Sequence, residues 1–234
     1  MDMVELLTQF NLTRQEAAIY STLLSEGDLN GYEVAKITGI SRSNAYTSLA
    51  ALVDKGGAFV IEGPTTRYTA VPIEEFCSNR IRKLEETKQE LIRNIPAKRD
   101  CAEGYITIKG KSHILNKMRN MVSEARERVY LSVSEQILEC LLPEIKDAVS
   151  RGIKTVLITN VPFCLDGATV YFEEKTQQQI RLIADSTNVL TGDIDDGEHS
   201  TCLYSRKKNL IDLLKDSLKN EIKLIEMMKG VNIK

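Results

Sequence analysis

A run of hydrogen-bonding side chains, SRSNAYT at residues 41–47, opens a predicted helix. Ser41 is placed to cap that helix, and it is followed by the donors and acceptors Arg42, Ser43, Asn44, Tyr46 and Thr47. Arginine, asparagine, serine and threonine are side chains that bond to base-pair edges in the DNA major groove. Small residues at Ser43 and Ala50 would let the helix backbone approach a duplex closely. The segment therefore predicts a base-reading helix.

Two helices are predicted before this one, and each has recognisable ends. LTRQEAAIYSTLL begins with Thr13 as N-cap and Glu16 three residues later, a capping-box pattern, and Gly27 ends it. NGYEVAKITG is a second, short helix that ends at Gly39. The third runs from Ser41 to about Lys55 and stops at the Gly-Gly pair 56–57.

The third helix has two chemically different sides. Its core-facing side is apolar and consists of Ala45, Leu49, Leu52 and Val53. The opposite side consists of Ser43, Thr47, Ala50 and Asp54, with Asn44 and Tyr46 flanking it. We therefore expect the polar side to be available to a ligand.

A β-hairpin is predicted directly after the third helix. AFVIE and RYTAV are β-rich runs separated by GPTT, a hairpin signal. Helices followed by such a hairpin are typical of a winged helix-turn-helix, which we assign to residues 1–72. The predicted DNA contacts in this domain are Lys36, Ser41, Arg42, Ser43, Asn44, Tyr46, Thr47, Thr66 and Arg67. Arg67, beside the hairpin turn, is expected to hold a phosphate or to enter the minor groove.

The charge of residues 1–72 favours a different partner. They contain five basic and eight acidic residues, a net charge of −3. Non-specific affinity for DNA comes from neutralising phosphates, so an acidic domain is a weak general DNA binder. The alternative is a winged helix that binds another protein. A dimer, which doubles the footprint of Lys36, Arg42 and Arg67, keeps DNA as the favoured partner.

Residues 73–103 are predicted to form a helical linker with a heptad pattern. Its apolar and core positions alternate at spacings of four and three: Cys77, Ile81, Leu84, Lys88, Leu91 and Ile95. Such a seam is typical of paired helices, with Lys88 as a register device. The alternative is a plain amphipathic helix lying on a domain.

Residues 104–234 alternate between strand-like and helical segments, which predicts an α/β domain for sensing or dimerisation. The order strand–helix–strand–helix–strand from YITIK to IKTVLIT predicts parallel pairing. Ligands of open α/β sheets bind beyond the carboxyl ends of the strands. Those ends carry Ser132, Ser134, Thr159 and Asn160, which are candidate effector contacts. The alternative is the ordinary polarity of strand ends.

Several segments resemble one protein family. LTRQEAAIYSTLL, GYEVAKITGISRSNAYTSLAALVDKG and the hairpin that follows resemble the DNA-binding domain of the TrmB family of transcriptional regulators. ITIKG, RGIKTVLIT and LIADSTNVLTGDID resemble the family's effector-side domain, which is related in fold to phospholipase D. The resemblance covers nearly the whole chain and implies a dimeric regulator, some members of the family responding to sugars. The chain is expected to lack the additional C-terminal sugar-binding domain of longer members.

No enzyme activity, cofactor or metal site is expected. Phospholipase D chemistry needs His-x-Lys, in which histidine attacks phosphorus and lysine stabilises the phosphate charge. Neither His113 nor His199, the two histidines, is followed two residues later by lysine. The loop TGDIDDGEH holds carboxylates but lacks the spacing of a calcium loop, and a solvated acidic loop is the simpler interpretation.

The compartment is expected to be the cytoplasm. The five cysteines are scattered, odd in number and never spaced as C-x-x-C, which indicates reduced thiols. The N-terminus MDMVELLTQF carries no Lys or Arg and so does not read as a secretory signal, and no run is long enough for a membrane span. Together these patterns predict an α/β protein overall: a cytoplasmic homodimer that binds a pseudo-palindromic double-stranded DNA operator and responds to a small effector.

Overall fold

The computed structural model describes residues 2–95, 104–173, 179–195 and 200–231. The chain divides into two compact units, Met1–Ala97 and Lys98–Lys234. Each unit has its own hydrophobic core. No helix within the described ranges combines the length and apolar character that crossing a bilayer requires.

The first four helices of the first unit are α1 (Met3–Gln9), α2 (Arg14–Glu26), α3 (Gly31–Thr38) and α4 (Arg42–Asp54). Three of them, α2, α3 and α4, begin and end close to the residues that the sequence predicts. Thr13 and Glu16 form the predicted capping box, and Gly27 ends α2 with φ of 83°. Gly39 ends α3 in the left-handed conformation. The helix α1 was not predicted, and its Leu7 is buried in the core of this unit.

A small sheet completes the winged helix. Its described strands are β1 (Leu29–Asn30), β2 (Ala58–Ile61) and β3 (Arg67–Ala70), in the order β1-β3-β2. The pair β2 and β3 is antiparallel, as predicted for the hairpin. The short strand β1 was not predicted, and it pairs with β3 on the side away from β2.

The core of the first unit is built by one side of each helix. On α4 the predicted apolar side is confirmed, because Ala45, Leu49 and Leu52 are fully buried and Val53 is partly buried against them. The helix α5 (Ile73–Asn94) starts after Pro72 and contributes Phe76 to the same core. Its 22 residues span about 33 Å at 1.5 Å per residue.

The second unit is a mixed α/β fold. Its described helices are α6 (Lys111–Glu124), α7 (Glu135–Ser150) and α8 (Lys208–Val231). Its described strands are β4 (Tyr105–Lys109), β5 (Arg128–Ser132), β6 (Lys154–Thr159), β7 (Ala168–Phe172), β8 (Gln179–Ala184), β9 (Asn188–Asp193) and β10 (Thr201–Ser205). The strand β7 was not predicted. The helices α6 and α7 cover one face of the sheet and α8 covers the other.

The expected parallel pairing holds only for part of this sheet. Within the described residues the sheet has seven strands in the order β4-β10-β9-β8-β5-β6-β7. The neighbours β5, β6 and β7 are parallel. The first strand, β4, was expected to pair in parallel, but it pairs antiparallel with β10 at the far edge. The strands β8, β9 and β10 lie between β4 and β5, because β8 pairs antiparallel with β5 and the later strands follow it in order. The tight turn at residues 185–187 joins β8 directly to β9.

Candidate nucleic-acid interface

The start of α4 presents polar side chains to solvent. Ser41 is the N-cap, and its Oγ accepts a hydrogen bond from the backbone N–H of Asn44 at 3.4 Å. Arg42, Ser43, Asn44 and Thr47 are all exposed. Thr47 Oγ1 donates to the Ser43 carbonyl at 3.0 Å, which leaves its oxygen lone pairs as acceptors. The local fold therefore fixes the backbone of this turn and leaves its side chains available.

Tyr46 holds α4 close to α3. A Cβ atom added to Gly31 would lie 2.4 Å from Cε1 of the Tyr46 ring, so the ring packs directly on the glycine backbone. The ring nevertheless remains 51% exposed. The absence of a side chain at Gly31 therefore lets the Tyr46 ring pack between α3 and α4, and a larger residue there would displace the ring.

Tyr32 joins this surface although it was not among the predicted contacts. The guanidinium of Arg42 lies over the Tyr32 ring, 4.6 Å from its centroid. Tyr32 is exposed and lies one helical turn before Lys36, which is also exposed on α3. The sequence could have indicated Tyr32, because it is an aromatic residue four positions before Lys36 and so lies on the same face of the helix. The exposed surface formed by Tyr32, Lys36 and residues 41–47 is called the reading surface below.

The wing arginine has protein partners that the sequence did not predict. The Arg67 guanidinium donates to the Asp28 carbonyl and forms an ion pair with Glu33 at 3.4 Å. Glu33 is also the acidic member of the α3 capping box, since it accepts from the N–H of Asn30 at 2.9 Å. Thr66 is exposed at the hairpin turn. A phosphate held by Arg67 would therefore compete with Glu33, and the phosphate role stays a prediction.

Positive charge on α4 is concentrated at its first turn. Arg42 occupies that turn, and residues 42–45 include no acid, while Asp54 lies at the opposite end of the helix. A cation at a helix N-terminus is disfavoured by the helix dipole, which is already positive there. The arrangement costs helix stability but raises the positive potential on the reading surface, where a DNA phosphate or base acceptor would offset it.

Some of the acidic residues of this unit are neutralised within the fold. Glu16 is buried and pairs with Lys55 at 2.6 Å. Burial alone would raise the pKa of Glu16, but hydrogen bonds from Lys55 and the Thr13 N–H, with the Lys55 charge, hold it below its ordinary value. This pair engages Lys55 within the fold, and the cations of the reading surface are Lys36 and Arg42.

The predicted seam on α5 is an exposed apolar stripe. Ile81, Leu84, Leu91 and Ile95 are between 56% and 63% exposed. Lys88 lies in the same stripe and pairs with Glu85 of its own helix at 3.1 Å. Cys77, the first seam residue, is instead partly buried against the core of the first unit. Burial raises the pKa of the Cys77 thiol, as expected for an inert thiol at this position.

The predicted effector residues fall on opposite faces of the second unit's sheet. Ser132 is buried on the α8 side and accepts a hydrogen bond from Arg181 at 3.2 Å. Arg181 pairs in turn with Glu221 of α8 at 2.5 Å. Thr159 is buried on the side of α6 and α7, where its Oγ1 has no hydrogen-bond partner among the described residues. The polar ends of β5 and β6 therefore do not form one cluster.

The remaining predicted effector residues lie at the start of α7. Asn160 Oδ1 accepts from the backbone N–H of Glu135 at 2.9 Å. Ser134 is the N-cap of α7 by backbone position, although its side chain makes no capping bond. Asn160 thus takes over part of the capping role that Ser134 would ordinarily have.

The candidate metal loop TGDIDDGEH lies partly outside the described residues, and so does one of the two histidines. Asp195 bonds to Ser200, whereas Asp196, Glu198 and His199 lie outside the described residues. Across the described ranges, no group of three or more His, Cys, Asp or Glu side chains is placed to hold a metal ion. His113 is exposed on α6, and Ile114 and Leu115 follow it.

Comparison with family models and known proteins agrees with this architecture. A model described as the sugar-specific transcriptional regulator TrmB matches residues 6–74. A second, described as the N-terminal subdomain of the TrmB EBD, matches residues 104–220, half of the chain. The uncharacterized protein YrhO of Bacillus subtilis is 28% identical over 239 residues, which cover 97% of this chain and 87% of YrhO.

More distant relatives include a named regulator and a solved structure. The HTH-type sugar sensing transcriptional regulator TrmBL1 of Pyrococcus furiosus is 25% identical over 60% of this chain and 42% of its own length. The structure of TrmBL2, an archaeal chromatin protein, is 21% identical with a TM-score of 0.47, covering 94% of this chain and 97% of that one. The family models account for both units, and the chain belongs to the TrmB family of transcriptional regulators.

Proposed function

We propose that the chain acts as a homodimer in which two copies of α4 read a pseudo-palindromic DNA operator. The observation that carries this proposal is the exposed start of α4, where Arg42, Asn44 and Thr47 lie outside the buried stripe of the same helix. An α-helix fits the major groove, and the first residues of a recognition helix reach the bases. Arginine and asparagine make the bidentate contacts that distinguish guanine and adenine.

Phosphate contacts position the reading helix without reading sequence. We assign this role to Lys36 on α3 and to Thr66 and Arg67 on the wing, with Ser41 at the helix start, whereas Ser43 and Tyr46 belong with the residues that face the major groove. Lys36 and Thr66 are exposed, and Arg67 is held near α3 by Glu33. Since the first unit carries net charge −3, few phosphates are neutralised per copy, and useful affinity requires both copies of the dimer.

The dimer is proposed to form along α5. Its stripe of Ile81, Leu84, Leu91 and Ile95 is exposed in the single chain, and burying such side chains contributes about 1.5–3 kcal/mol each. Lys88 within the stripe would select one register at some cost in stability. Two-fold pairing presents two identical α4 helices, which accounts for a pseudo-palindromic operator.

The second unit is proposed to bind a small effector rather than to catalyse a reaction. TrmBL1 is described as sugar sensing, which supports an effector role for the corresponding part of this chain. The buried Thr159 hydroxyl lacks a partner among the described residues, so we place an effector contact near Ser134, Thr159 and Asn160, with Ser132 held by Arg181 on the other face. We expect the full chain to show no hydrolysis of bis(p-nitrophenyl) phosphate, because no His-x-Lys is present. A DNA-binding regulator meets its operator in the cytoplasm, where we place the chain.

The experiment that tests the proposal is selection of bound DNA from a random duplex library by the full chain at one salt concentration. We expect enriched sites made of two inverted half-sites, with centres about one helical turn or a multiple of it apart. No enrichment above a parallel selection with the second unit alone, residues 104–234, would contradict DNA reading.

A second function is favoured by one observation. Phe59, Val60 and Ile61 of the wing strand β2 are exposed, and apolar groups exposed together often mark protein contacts. With the acidic net charge, they support a winged helix that binds a protein. A failed DNA selection, with retained dimerisation, would favour this function.

A further inference from the structure

We propose that the second unit has a binding site for a small organic anion in a cleft between the sheet and α8. The cleft has a volume of about 160 Å³. Its walls carry the cations Arg128, Lys215 and Lys219 and the hydroxyl of Ser186. None of these residues was a predicted contact, and Arg128 begins β5 whereas the predicted Ser132 ends it. The site therefore lies at the other end of this strand.

The floor of the cleft is apolar. It consists of Tyr130 and Ile183 on the sheet and Leu218 and Ile222 on α8. On α8 the lining residues recur at spacings of three and four, from Lys215 to Ile222, so cations and apolar residues share one helix face. Ile183 and Leu218 are buried in the core beneath the cleft, which makes this floor a rigid part of the fold.

Cations around an apolar floor call for an anionic partner. Lys215 is partly buried, and burying a cation without a counter-charge is unfavourable. Two acids form surface ion pairs with cations of the cleft: Glu127 pairs with Arg128 at 3.5 Å and Asp216 with Lys219 at 3.7 Å, and the four side chains are between 44% and 72% exposed. Such exposed pairs are weak, so a ligand carboxylate or phosphate can replace them.

Another acid near the cleft, Asp185, precedes Ser186 in the chain and has a structural task. Its carboxylate accepts the backbone N–H groups of Arg126, Glu127 and Arg128 at 2.8–3.1 Å. Burial alone would raise the pKa of Asp185, but these hydrogen bonds and the Arg126 charge hold it below its ordinary value. The charge of Asp185 is therefore directed at the backbone that carries Arg128.

The turn next to Asp185 holds Ser186 in an unusual conformation. Asp185 and Ser186 have φ of 50° and 58°, in the left-handed region that residues other than glycine seldom adopt. Residues 185–187 form the tight turn between β8 and β9, and tight hairpin turns commonly use left-handed residues. Ser186 lines the cleft at this turn, so its hydroxyl is available as a further donor in the proposed site.

These features define the ligand class: a small molecule with one carboxylate or phosphate group and a short aliphatic or aromatic body. The volume is below the roughly 300–1,000 Å³ of pockets for drug-sized ligands, so the body must be short. The anionic group would meet Lys215, Lys219 and Arg128, and the body would lie on Tyr130 and Leu218. Since Tyr130 and Ile183 are sheet residues and Lys215 belongs to α8, the ligand would fasten α8 to the sheet.

The test is calorimetric titration of the full chain, without DNA, with hexanoate and with phenyl phosphate. Hexanamide serves as the neutral match for hexanoate, and inorganic phosphate as the head group alone. We expect saturable binding of at least one of the two anions and about tenfold weaker binding of its uncharged or truncated match. Lys215→Gln with Lys219→Gln should weaken the anion about tenfold, as loss of charged hydrogen bonds does.

Lys223→Gln is the control for charge loss on α8, because it removes one positive charge from an exposed position outside the cleft, whereas the double variant removes two at the cleft. Circular dichroism of each variant confirms that α8 remains folded. The proposal is overturned if neither anion binds saturably up to about 1 mM, if hexanamide binds as well as hexanoate, or if the double variant binds like Lys223→Gln. Because no DNA is present, these outcomes are independent of the operator proposal.

Discussion

The ring of Phe76 in α5 packs against the ring of Tyr20 in α2, with centroids 5.2 Å apart and planes tilted by 44°. Phe10 completes the cluster, 6.4 Å from Phe76. The Tyr20 hydroxyl donates to the Val71 carbonyl at 2.8 Å, just before α5 begins. The first turns of α5 are therefore part of the winged-helix core. Pairing of two α5 helices would fix the distance between the two α4 helices.

Removing Phe76 should loosen this connection. Phe76→Ala deletes a side chain that is 1% exposed, and such truncations cost about 3–5 kcal/mol through lost burial and the remaining cavity. We expect that loss in the free energy of unfolding of the first unit, measured by urea denaturation. Lys83→Ala, at an exposed position of the same helix, is the control and should change it by less than about 0.5 kcal/mol. Equal stability of the two variants would show that α5 is not anchored by this ring.

Tyr20 predicts a loss of stability at high pH. Burial, with a smaller effect of Cys77, raises the pKa of Tyr20 from 10 to about 12. A group whose pKa is raised on folding stabilises the fold below its unfolded pKa, and this contribution disappears as the pH rises from 10 towards 12. Tyr20→Phe cannot ionise, so its unfolding free energy should fall less steeply across this window.

The same variant separates the hydrogen bond from the ionisation. At neutral pH Tyr20→Phe should be less stable by about 1 kcal/mol, because the Val71 carbonyl loses its donor. Unfolding is followed at several pH values by the circular dichroism of the backbone, which does not depend on tyrosine ionisation. Tyr32→Phe, at an exposed tyrosine, is the control. Parallel pH curves for wild type and Tyr20→Phe would contradict the prediction.

The α5 stripe should hold the dimer together. Leu84→Glu with Leu91→Glu places two charges in the exposed stripe, and repulsion across a two-fold interface should give monomers in light scattering. Asn79→Glu with Gln89→Glu adds the same charge outside the stripe and should leave the dimer intact. If the stripe variant remains dimeric, the stripe is not the main interface, and the second unit becomes the candidate.

The wing arginine should contribute affinity without sequence preference. Arg67→Gln removes one phosphate-binding charge, so all duplexes should bind more weakly by a similar factor. The slope of log affinity against log salt should flatten by about one unit. Glu74→Gln, an exposed charge at the start of α5, is the control and should leave the slope unchanged. A loss confined to certain sequences, with the slope unchanged, would place Arg67 on bases instead.

Local patterns predicted the elements that local interactions stabilise. The capping box of Thr13 and Glu16 and the buried stripe of α4 each lie within a few residues of sequence, and both are confirmed. The helix α1 is only seven residues long, and short helices depend on packing that no local pattern shows. The partner of β4 is β10, far away in the sequence, so the antiparallel edge could not be read from the strand–helix–strand order.

In the candidate site, too, the features within one helix were predictable from the sequence, and the contacts between elements were not. The exposed residues of α4 follow from the position of its core stripe, because a helix has only one opposite face. The contacts of Tyr32 with Arg42 and of Arg67 with Glu33 join separate elements, and side chains meet there only after the chain has folded. The division of Ser132 and Thr159 between two faces follows from strand alternation, since they occupy different positions on neighbouring strands.

The central claim, that the start of α4 reads bases, is tested most directly by the specificity ratio. Binding of wild type, Arg42→Ala, Asn44→Ala and the control Arg14→Ala is measured at one salt concentration, on the selected operator and on a shuffled duplex. Losing a bidentate base contact costs about 1–3 kcal/mol, so Arg42→Ala and Asn44→Ala should each lower the ratio by about five- to 150-fold. Arg14→Ala, which removes a charge from α2, should leave the ratio near the wild-type value. Unchanged ratios for both α4 variants would contradict base reading by this helix.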